Sequence, residues 1–515
     1  RDLRMSRGLG DVYKRQQPDV SYEWYLDGKL LDVKTPDYTF NAAKTGKYEV
    51  TYSVVDNKTG VKFSKSAEIT VRSPYLVGWL ILSEKDGKSA LSFIKMRTVK
   101  RDDIDMEGNP IERDSIVFYD VEKYFRPDLG TEPKGLMEHI GVENDFGFSD
   151  AVYDEIVVMQ GKGNWVELNG NTMEHEVYTK EEFGNDLPEN FNPVEAAMTF
   201  SSKLIRDKNG FIYLHKKILA NDYHAGSYIS VPLANSTKFK GLYQAHKLYN
   251  RNYYVIPACT EDNSLVGIWD VGRYNEYSLD GTPSAITENS SRNDGNIVEL
   301  TETTDEKHFK QMSKNIVSMV PATCGRDNRF DVTDSYLVPK WVALMEENGT
   351  YSIRYFGLEG DTSGGIVTVT DFKEVPVNAG VFAAGYVDMA VFPHKKYVVI
   401  ASGKEIWYCP YGGSTSNAVL LKKFDQNIVS ISSHDVEEYS RDGDIYHNGH
   451  LGVALENGDF FIYGIVEEDK MLDKVIVNQL YPSPETEGKD NNNFGKIVDT
   501  LYKFGNATGV FTYTF

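Results

Sequence analysis

Two segments of the sequence place aromatic rings beside amide and charged side chains. Residues 221–226 read Asn-Asp-Tyr-His-Ala-Gly, and residues 249–253 read Tyr-Asn-Arg-Asn-Tyr. Flat rings stack on apolar ligand faces, while amides and guanidinium groups supply hydrogen bonds, so such segments can recognise sugars or peptides. The alternative is that the rings only cover strand edges. Because ligand-binding residues concentrate on loops of rigid scaffolds, we predict ligand contacts for Tyr223, His224, Tyr249, Asn250, Arg251 and Asn252.

No motif in the sequence predicts catalysis. There is no His-Glu-x-x-His helix, no phosphate-binding glycine loop and no Gly-x-Ser-x-Gly elbow. Residues 440–444 begin like a sialidase Asp-box, but Asp444 stands where the box needs glycine, which indicates a polar turn. Acidic pairs such as Asp102-Asp103 and Glu437-Glu438 are expected by chance among 76 acidic residues. We therefore expect no catalytic residue, no cofactor and no enzyme activity.

Three histidines lie close together in sequence, with two aspartates between them. Imidazole and carboxylate are suitable metal ligands, so a metal cluster is conceivable. The spacing of His434, Asp442, Asp444, His447 and His450 matches no known site. We predict a solvated loop here, without a metal.

The spacing of the three cysteines predicts neither a set of disulfide bonds nor a zinc site. Cys259, Cys324 and Cys409 are far apart and lack the spacing of a zinc site or of a disulfide-rich domain. We predict three small buried hydrophobic side chains on strands.

Composition excludes one class of partner and favours one fold class. A net charge of −21 opposes binding to nucleic acid, which requires a basic surface. Aromatic residues make up 12% of the chain, with 33 Tyr and 25 Phe, and this enrichment favours strands over helices. No run approaches the ~20 apolar residues of a membrane-spanning helix. An all-β protein is expected.

The first 16 residues differ from the rest of the chain. Five of them are basic and two acidic, and residues 11–16, Asp-Val-Tyr-Lys-Arg-Gln, resemble the translation of a transposon end used in sequencing libraries. We expect residues 1–16 to be a non-native leader, with the natural N-terminus missing. A disordered basic leader is the alternative.

Residues 17–73 are patterned as part of a β-sandwich. Strands are predicted at Tyr22–Leu26, Asp37–Phe40, Gly46–Asp56 and Ala67–Val71. In the third, alternate apolar residues share one face. Only about 55 residues are present where a complete sandwich has ~80–100, so we expect the first strands of the sandwich to be missing. We also expect residues 17–73 to be less stable than residues 75–515.

Residues 75–515 contain a repeated hairpin, which follows a boundary at Ser73-Pro74. An apolar strand, a short Gly, Asn or Asp turn and a strand ending in an aromatic recur along the chain, from Tyr75–Ser83 onward. Division into units of roughly 63 residues predicts a β-propeller of about seven blades, with six or eight as alternatives. The segment Gly495–Lys503 is predicted to close the ring against the strand near Val77. A two-sheet sandwich is the structural runner-up.

The sequence resembles a known family. The strand Tyr22-Glu23-Trp24, the run Gly78–Ser83 and the terminal Gly495–Val498 together resemble the PKD-like surface lipoproteins of Bacteroidota, whose PKD-type domains are immunoglobulin-like. The resemblance implies an exported protein, lipid-anchored to the outer membrane at the cell surface and associated with SusC/SusD-like nutrient importers. The lipobox Cys of that pattern is not present in this sequence, so anchoring is an expectation.

Two functions follow as hypotheses. The first is a non-catalytic accessory protein that binds a glycan or oligopeptide or serves as a scaffold for the importer. The second is a propeller-type polysaccharide hydrolase or lyase. Convergent carboxylates in the central channel would favour the second, and an aromatic groove without perturbed acids would favour the first.

Overall fold

The computed structural model describes most of the chain in two compact units, Arg1–Pro74 and Tyr75–Phe515. The described residues are 19–41, 46–71, 73–104, 108–142, 152–199, 202–216, 224, 226–234, 237–244, 255–269, 295–303, 307–322, 338–360, 365–393, 396–434, 449–467, 475–483 and 492–503. Their regular structure is β-strand, apart from the short 3-10 helices Gly161–Gly163, Thr179–Phe183 and Ala379–Phe382. The all-β prediction is confirmed. No helix within these ranges is long and apolar enough to span a membrane.

The first unit is one antiparallel sheet. Its strand order is β2-β1-β3-β4, with β1 Val20–Leu26, β2 Lys29–Leu30, β3 Gly46–Asp56 and β4 Lys62–Val71. One face is aromatic, since Trp24 lies opposite Tyr52 in the register of β1 and β3 and their ring centroids are 4.5 Å apart. The other face is polar.

The strand predicted at Asp37–Phe40 is not formed. This segment makes no ladder, and its side chains lie against the aromatic face instead. Tyr38 packs on Trp24 at 5.4 Å and Phe40 packs on Tyr48 at 5.1 Å, measured between ring centroids. The alternation of apolar and polar residues correctly predicts that Tyr38 and Phe40 face the sheet. The same alternation occurs in a strand and in an irregular segment that packs on a sheet, so it cannot distinguish the two.

The second unit is a propeller of seven blades, as predicted, rather than a two-sheet sandwich. Blade 1 comprises β31 Lys496–Lys503, β5 Gly78–Lys85, β6 Lys88–Ile104 and β7 Pro110–Arg126. Blade 2 comprises β8 Pro133–Val142, β9 Val152–Gln160, β10 Val166–Asn169 and β11 His175–Tyr178. Blade 3 comprises β12 Pro193–Met198, β13 Ser202–Asp207 and β14 Ile212–Lys216, and Tyr228 bridges to His215 at its outer edge.

The remaining four blades follow in chain order. Blade 4 comprises β15 Phe239–Leu242, β16 Val255–Thr260, β17 Leu265–Trp269 and β18 Ile297–Thr301. Blade 5 comprises β19 Asn315–Pro321, β20 Lys340–Glu347, β21 Thr350–Gly360 and β22 Val367–Val377, and β18 and β22 pair in parallel at the outer edge. Blade 6 comprises β23 Tyr386–Phe392, β24 Tyr397–Ser402, β25 Glu405–Pro410 and β26 Val419–Lys423. Blade 7 comprises β27 Ile428–His434, β28 Gly449–Leu455, β29 Phe460–Glu467 and β30 Val475–Tyr481.

The ring closes through the C-terminal strand. β31 pairs antiparallel with β5, with Leu501 opposite Leu80 and Lys503 opposite Gly78. The predicted closure is therefore confirmed. Hydrogen bonds of one sheet thus join the two ends of this unit without a covalent link.

Seven apolar cores hold the ring, one between each pair of neighbouring blades. The core between blades 7 and 1, for example, combines Phe460 and Ile462 with Trp79 and Ile94. Middle strands are buried on both faces for this reason, and their sequences are continuous apolar runs rather than alternating ones. Cys259 and Cys409 are buried free thiols on middle strands, as predicted for the cysteines, and Cys324 lies outside the described residues.

Several long connections within blades lie on one face of the propeller. Because neighbouring strands alternate in direction, connections from a first to a second strand and from a third to a fourth strand leave the same face, which we call the insertion face. Segments 143–151, 217–227, 243–254, 270–296, 322–339 and 435–448 all join strands there. Turns on the opposite face between second and third strands are short, as at 86–87 and 403–404.

Candidate functional site

A buried cluster of charged side chains lies between blades 2 and 3 and includes the predicted residue His224. At its centre is Lys203 of β13, whose side chain is fully buried. Lys203 Nζ lies 2.5 Å from Glu167 Oε2, 3.0 Å from Glu182 Oε1 and 3.7 Å from Glu155 Oε1. The three glutamates are themselves almost completely buried.

The strand register explains how these residues meet. Glu155 on β9 and Glu167 on β10 point to the same face of blade 2, because Glu167 lies opposite Val157 and Glu155 lies opposite Asn169. Glu182 comes from the 3-10 helix that leads into blade 3. An ion removed from water is tolerated only when paired and hydrogen-bonded, and Lys203 from the facing blade supplies that pairing.

The protonation states follow from burial and neighbouring charge. Burial raises the pKa of Glu155 well above its usual value, and the nearby Glu167 carboxylate raises it further. Burial opposes ionisation of Glu167 as well, but the Lys203 ammonium and a hydrogen bond from Glu155 hold its pKa below the usual range. Glu155 is thus the protonated member of the pair, donating to Glu167.

His224 is anchored by this cluster through both ring nitrogens. Its Nδ1 lies 3.0 Å from Glu182 Oε1 and its Nε2 lies 3.1 Å from Glu176 Oε2. Burial opposes the charged form, yet the hydrogen bonds to Glu176 and Glu182 raise the pKa of His224 to about 10. The side chain retains 23% exposure, so it is a cation held at the edge of the cluster.

The other predicted ligand residues lie outside the described residues: Tyr223, Tyr249, Asn250, Arg251 and Asn252. The strands that flank them are described. β14 and β15, in neighbouring blades 3 and 4, both end at the insertion face. The ligand-binding assignment stays a prediction for all six positions.

Three groups of the cluster have metal-ligand chemistry. One atom each from Glu155, Glu167 and His224 lies within 4.8 Å of the others. The Lys203 ammonium already contacts the Glu167 carboxylate, and Glu155 retains a proton. The glutamates of this group therefore already have a cation, the Lys203 ammonium. A metal ion would have to displace it.

A second set of polar groups lies on the inner strands of the ring. The first strand of each blade is its inner strand. Near its start, the pairing of this strand with the second strand of the same blade shifts in register. We call the residue after the shift the staple position. The staple positions are Gly135, Glu195, Gly241, Ser318, Asp388, Ser430 and Asp499.

Four staple side chains accept a backbone N–H from the next inner strand. Asp388 accepts from Ile431 at 2.9 Å, and Ser430 accepts from Thr500 at 3.2 Å. Asp499 and Glu195 do the same for the next strands, with distances of 2.7 Å to Leu136 N and 2.7 Å to Leu242 N. Three carboxyl groups and one hydroxyl on inner strands therefore join neighbouring blades.

Two of the inner-strand carboxyl groups have raised pKa values. Burial raises the pKa of Asp388 to about 7, with Asp499 contributing through like charge, although backbone donors oppose the shift. Burial likewise raises the pKa of Asp499 to about 6. Both carboxyl groups contact the hydroxyl of Ser430, at 3.4 Å from Asp388 Oδ2 and 3.0 Å from Asp499 Oδ1.

The prediction of a solvated loop is wrong for two of the three histidines. His434 and His450 are cross-strand partners in blade 7, both buried, with their Nδ1 atoms 3.3 Å apart. His434 stacks on Tyr502 with ring centroids 4.0 Å apart. The two residues lie in strands: His434 ends β27, Ile428–His434, and His450 is the second residue of β28, Gly449–Leu455. The strands bring both rings into the interface. Asp442, Asp444 and His447 lie outside the described residues.

Sequence reasoning missed the charged cluster and the staples. Glu155, Glu167 and Lys203 each lie directly beside an apolar residue of a predicted strand, and a charge at a position facing a neighbouring blade was the available signal. The staples had no comparable signal, because register shifts depend on strand pairing.

A sequence comparison finds one family match, in the N-terminal part of the chain. Residues 8–117 match the sequence profile of the PKD-like family, and this match continues past Pro74 through β5 and β6 into β7. No curated protein matches the chain.

Solved structures with similar folds are distant. A quinonprotein alcohol dehydrogenase-like protein from Bacteroides thetaiotaomicron is 10% identical, with a TM-score of 0.38 over 94% of this chain and 91% of that one. Prp20p from Saccharomyces cerevisiae is 12% identical, with a TM-score of 0.34 over 70% of this chain and 88% of that one. Likeness at this level carries no argument about this chain.

Proposed function

We propose that this protein is a non-catalytic binding and scaffolding protein whose propeller presents a ligand-binding surface on the insertion face. One observation supports the absence of catalysis: the acidic side chains whose pKa values are shifted are all engaged in contacts within the protein. Asp388 and Asp499 accept backbone N–H groups of neighbouring blades, and Glu155 and Glu167 are engaged with each other and with Lys203. A catalytic acid or base needs a lone pair or proton that can reach substrate, and these groups are bound internally.

The proposed ligand is a glycan or an oligopeptide. The proposed contacts are Tyr223, His224, Tyr249, Asn250, Arg251 and Asn252, in segments joined to strands of blades 3 and 4 at the insertion face. Anchoring of His224 by Glu176 and Glu182 would fix one end of this surface, because a held side chain loses less entropy on binding.

The proposed setting is the cell surface, with a lipid anchor in the outer membrane and a SusC/SusD-like importer as partner. This part of the proposal follows from the PKD-like match at residues 8–117 and from the family resemblance. Co-purification from native outer membranes, followed by mass spectrometry, tests it. Recovery of importer components with the tagged chain supports the proposal, and recovery of the chain alone contradicts it.

Binding is tested with the soluble chain on glycan and peptide arrays, followed by calorimetry on each positive ligand. Tyr249→Ala and Arg251→Ala are expected to weaken binding at least about tenfold, the loss typical of a stacking ring or a charged hydrogen bond. The matched control is Lys404→Ala, on a turn of the opposite face, which should leave affinity unchanged. Equal affinity in all three variants would contradict the proposed surface.

The alternative, a polysaccharide hydrolase or lyase, is favoured by one observation only, the raised pKa of Asp388 and Asp499 on inner strands. Incubation with a polysaccharide panel distinguishes the two. Release of reducing ends or unsaturated sugars that Asp388→Asn abolishes, in a variant that remains folded, would establish the enzyme and overturn our proposal.

A further inference from the structure

The last strand of the N-terminal sheet has an open edge. β4, Lys62–Val71, ends the strand order β2-β1-β3-β4, and among the described residues it pairs only with β3. It contains no proline or glycine, and its pairing with β3 continues without a register shift. Proline, bulges or a covering segment usually shield an edge of this length, because an open edge pairs readily with another strand. β2, at the other edge, has only two residues, so β4 is the edge at which this sheet can be extended.

The outward backbone groups of β4 can be assigned from the hydrogen bonds on its other side. The Asp56 N–H donates to the carbonyl oxygen of Val61 at 2.9 Å, where the ladder of β3 and β4 begins. Successive residues of a strand direct their backbone groups to opposite sides, so odd-numbered residues of β4 bond to β3 and even-numbered residues face outward. The outward residues are Lys62, Ser64, Ser66, Glu68 and Thr70. Among the described residues, no hydrogen bond reaches their backbone N–H and C=O groups.

The side chains of β4 divide between an apolar face and a polar face. Phe63 lies opposite Val54 in the register with β3, so odd-numbered residues continue the aromatic face of the sheet. On this face Phe63 is 68% exposed and the preceding Val61 is 47% exposed. Even-numbered residues continue the polar face, where Ser66 Oγ lies 2.7 Å from Thr51 Oγ1. A strand that fits this edge must therefore present apolar side chains on one face only.

We propose that β4 of a second copy of this chain occupies the edge, in antiparallel pairing about a two-fold axis at Ser66. Each outward residue then faces another outward residue: Ser66 faces Ser66, Ser64 faces Glu68, and Lys62 faces Thr70. Opposed outward residues of antiparallel strands exchange two hydrogen bonds, so every outward N–H and C=O group of both strands is paired. The two four-stranded sheets become one continuous sheet with the two β4 strands at its centre. This association would be independent of the ligand-binding surface proposed for the propeller.

The apolar side chains match in this register. Phe63 of one copy lies opposite Ile69 of the other, and Val61 lies opposite Val71. Each of these pairs occurs twice because of the two-fold symmetry. The exposed side chains of Phe63 and Val61 therefore gain apolar partners, and cross-strand pairs of this kind stabilise a sheet.

Neighbouring registers are less favourable. An axis at Lys65 places two ammonium groups opposite each other, and an axis at Glu68 does the same for two carboxylates, which destabilises a strand pair. An axis at Ala67 sets the Lys65 ammonium opposite the apolar Ile69 side chain. With the axis at Ser66, no like charges are directly opposed. The sequence of β4 therefore specifies one register for its pairing with itself.

The charge of the N-terminal unit permits such association. The chain has a net charge of −21, but residues 19–71 contain eight acidic and seven basic side chains. The excess negative charge thus lies on residues 75–515, and repulsion between two N-terminal sheets is small. In the proposed pair, Lys62 of one copy lies diagonally across from Glu68 of the other, where opposite charges attract.

The dimer is expected to be weak. Pairing of two strand edges buries less surface than the ~1,200–2,000 Å² of most stable complexes, so we expect a dissociation constant in the micromolar range. At submicromolar concentration the chain should be monomeric, and pairing through β4 should then contribute nothing to its stability.

The proposal is tested on the full chain by sedimentation velocity and by residue-resolved hydrogen exchange at about 1 to 300 µM. The dimer fraction should increase with concentration. Exchange of the Ser64, Ser66 and Glu68 amides should slow about tenfold when nine-tenths of the chain is dimeric, while amides of β24 in the propeller should not respond. A chain that stays monomeric throughout overturns the proposal. Outward amides that are protected equally at every concentration also overturn it, because another part of the chain would then cover the edge.

Ser66→Cys tests the identity of the partner and the register together. The two Cα atoms at the axis should lie ~5.5 Å apart, a distance that a disulfide can span, so mild oxidation should yield a covalent dimer. The matched control is Ser64→Cys, whose two copies would lie roughly 13 Å apart along the strands and should not crosslink. The wild type, with its native cysteines, should not crosslink either. Equal crosslinking of the two variants, or none in Ser66→Cys, overturns the proposal.

Ser66→Pro tests the backbone hydrogen bonds. Proline removes the outward N–H at the axis and leaves the ladder with β3 in place, since proline is tolerated where the N–H of an edge strand faces solvent. The dissociation constant should increase at least about tenfold. Ser66→Ala keeps the N–H and should dimerise like the wild type. A Ser66→Pro chain whose β3 exchanges as in the monomeric wild type but which dimerises with unchanged affinity overturns the proposal.

Discussion

Lys203 illustrates how single residues determine which charges an interface between two β-sheets can accept. Three glutamates face its ammonium group, and one of them, Glu155, is accommodated by retaining a proton. The interface between blades 2 and 3 thus combines an apolar core with an ionic one. Because the desolvation of each ion must be offset by its partners, the members of the cluster are not equivalent.

Substitution of the two paired glutamates tests this inequivalence. Glu155→Gln replaces a protonated acid by a neutral amide that can still donate to Glu167, so we expect a change of less than about 1 kcal/mol in the free energy of unfolding. Glu167→Gln leaves Lys203 without its closest anion and should cost about 3 kcal/mol. Urea unfolding of both variants measures the difference, and equal losses would show that Glu155 is ionised.

His224 predicts a separate pH dependence. Its pKa is raised by folding from 6.5 to about 10, so the stability it contributes is complete below pH 6.5 and is lost as the pH rises toward 10. His224→Gln should therefore flatten the thermal stability profile between pH 7 and 10. His175→Gln, an exposed histidine on neighbouring β11, is the control and should retain the wild-type decline. A wild-type profile that is flat across this range would contradict the assignment.

At the scale of elements, middle-strand hairpins were predictable and inner-strand details were not. Apolar runs and turn residues, which are local signals, predict the pairs at Lys340–Leu344 with Tyr351–Tyr355 and at Leu451–Leu455 with Asp459–Tyr463, and both pairs form. Inner strands such as β15 are short and less apolar, and their roles depend on partners far away in sequence. The same limit explains His434 and His450, whose burial depends on Tyr502 of the closing strand.

The closing blade contains a site where one added carbon should be destabilising. Gly78 has φ +155°, and a Cβ there would lie 2.1 Å from the backbone oxygen of Ile94, which cannot move without breaking the ladder of β5 and β6. Gly78→Ala should lower the free energy of unfolding by more than 2 kcal/mol, beyond the ~1 kcal/mol of an unfavourable φ alone.

The control for Gly78 is Gly349→Ala. Gly349 also has a positive φ, +79°, but a Cβ there would meet nothing within 4 Å. Chemical unfolding monitored by tryptophan fluorescence measures both variants. Similar losses in the two would show that the close contact with Ile94 has no effect.

At the scale of the whole molecule, the two compact units differ in how they are stabilised. In the propeller every blade is covered on both faces, and seven cores continue around the ring through the pairing of β31 with β5. The N-terminal unit is a single sheet with one aromatic face. Only Val50 and Ser53 are buried among its described residues, and Phe63 on edge strand β4 is 68% exposed.

We therefore expect the N-terminal sheet to unfold before the propeller. A four-stranded sheet with a partly covered face buries too little apolar surface to be stable alone, and its long exposed edge strand offers unpaired backbone groups. Hydrogen exchange should show lower protection for Tyr48–Val55 of β3 than for β24 and β25, whose residues are almost all buried. Urea should produce a first transition that leaves the exchange of β24 unchanged.

The control is Phe63→Thr, which removes an exposed ring and should alter neither transition by more than about 0.5 kcal/mol. If Tyr48–Val55 is as protected as β24 and both are lost in one transition, the sheet is stabilised by contacts that its own side chains do not provide.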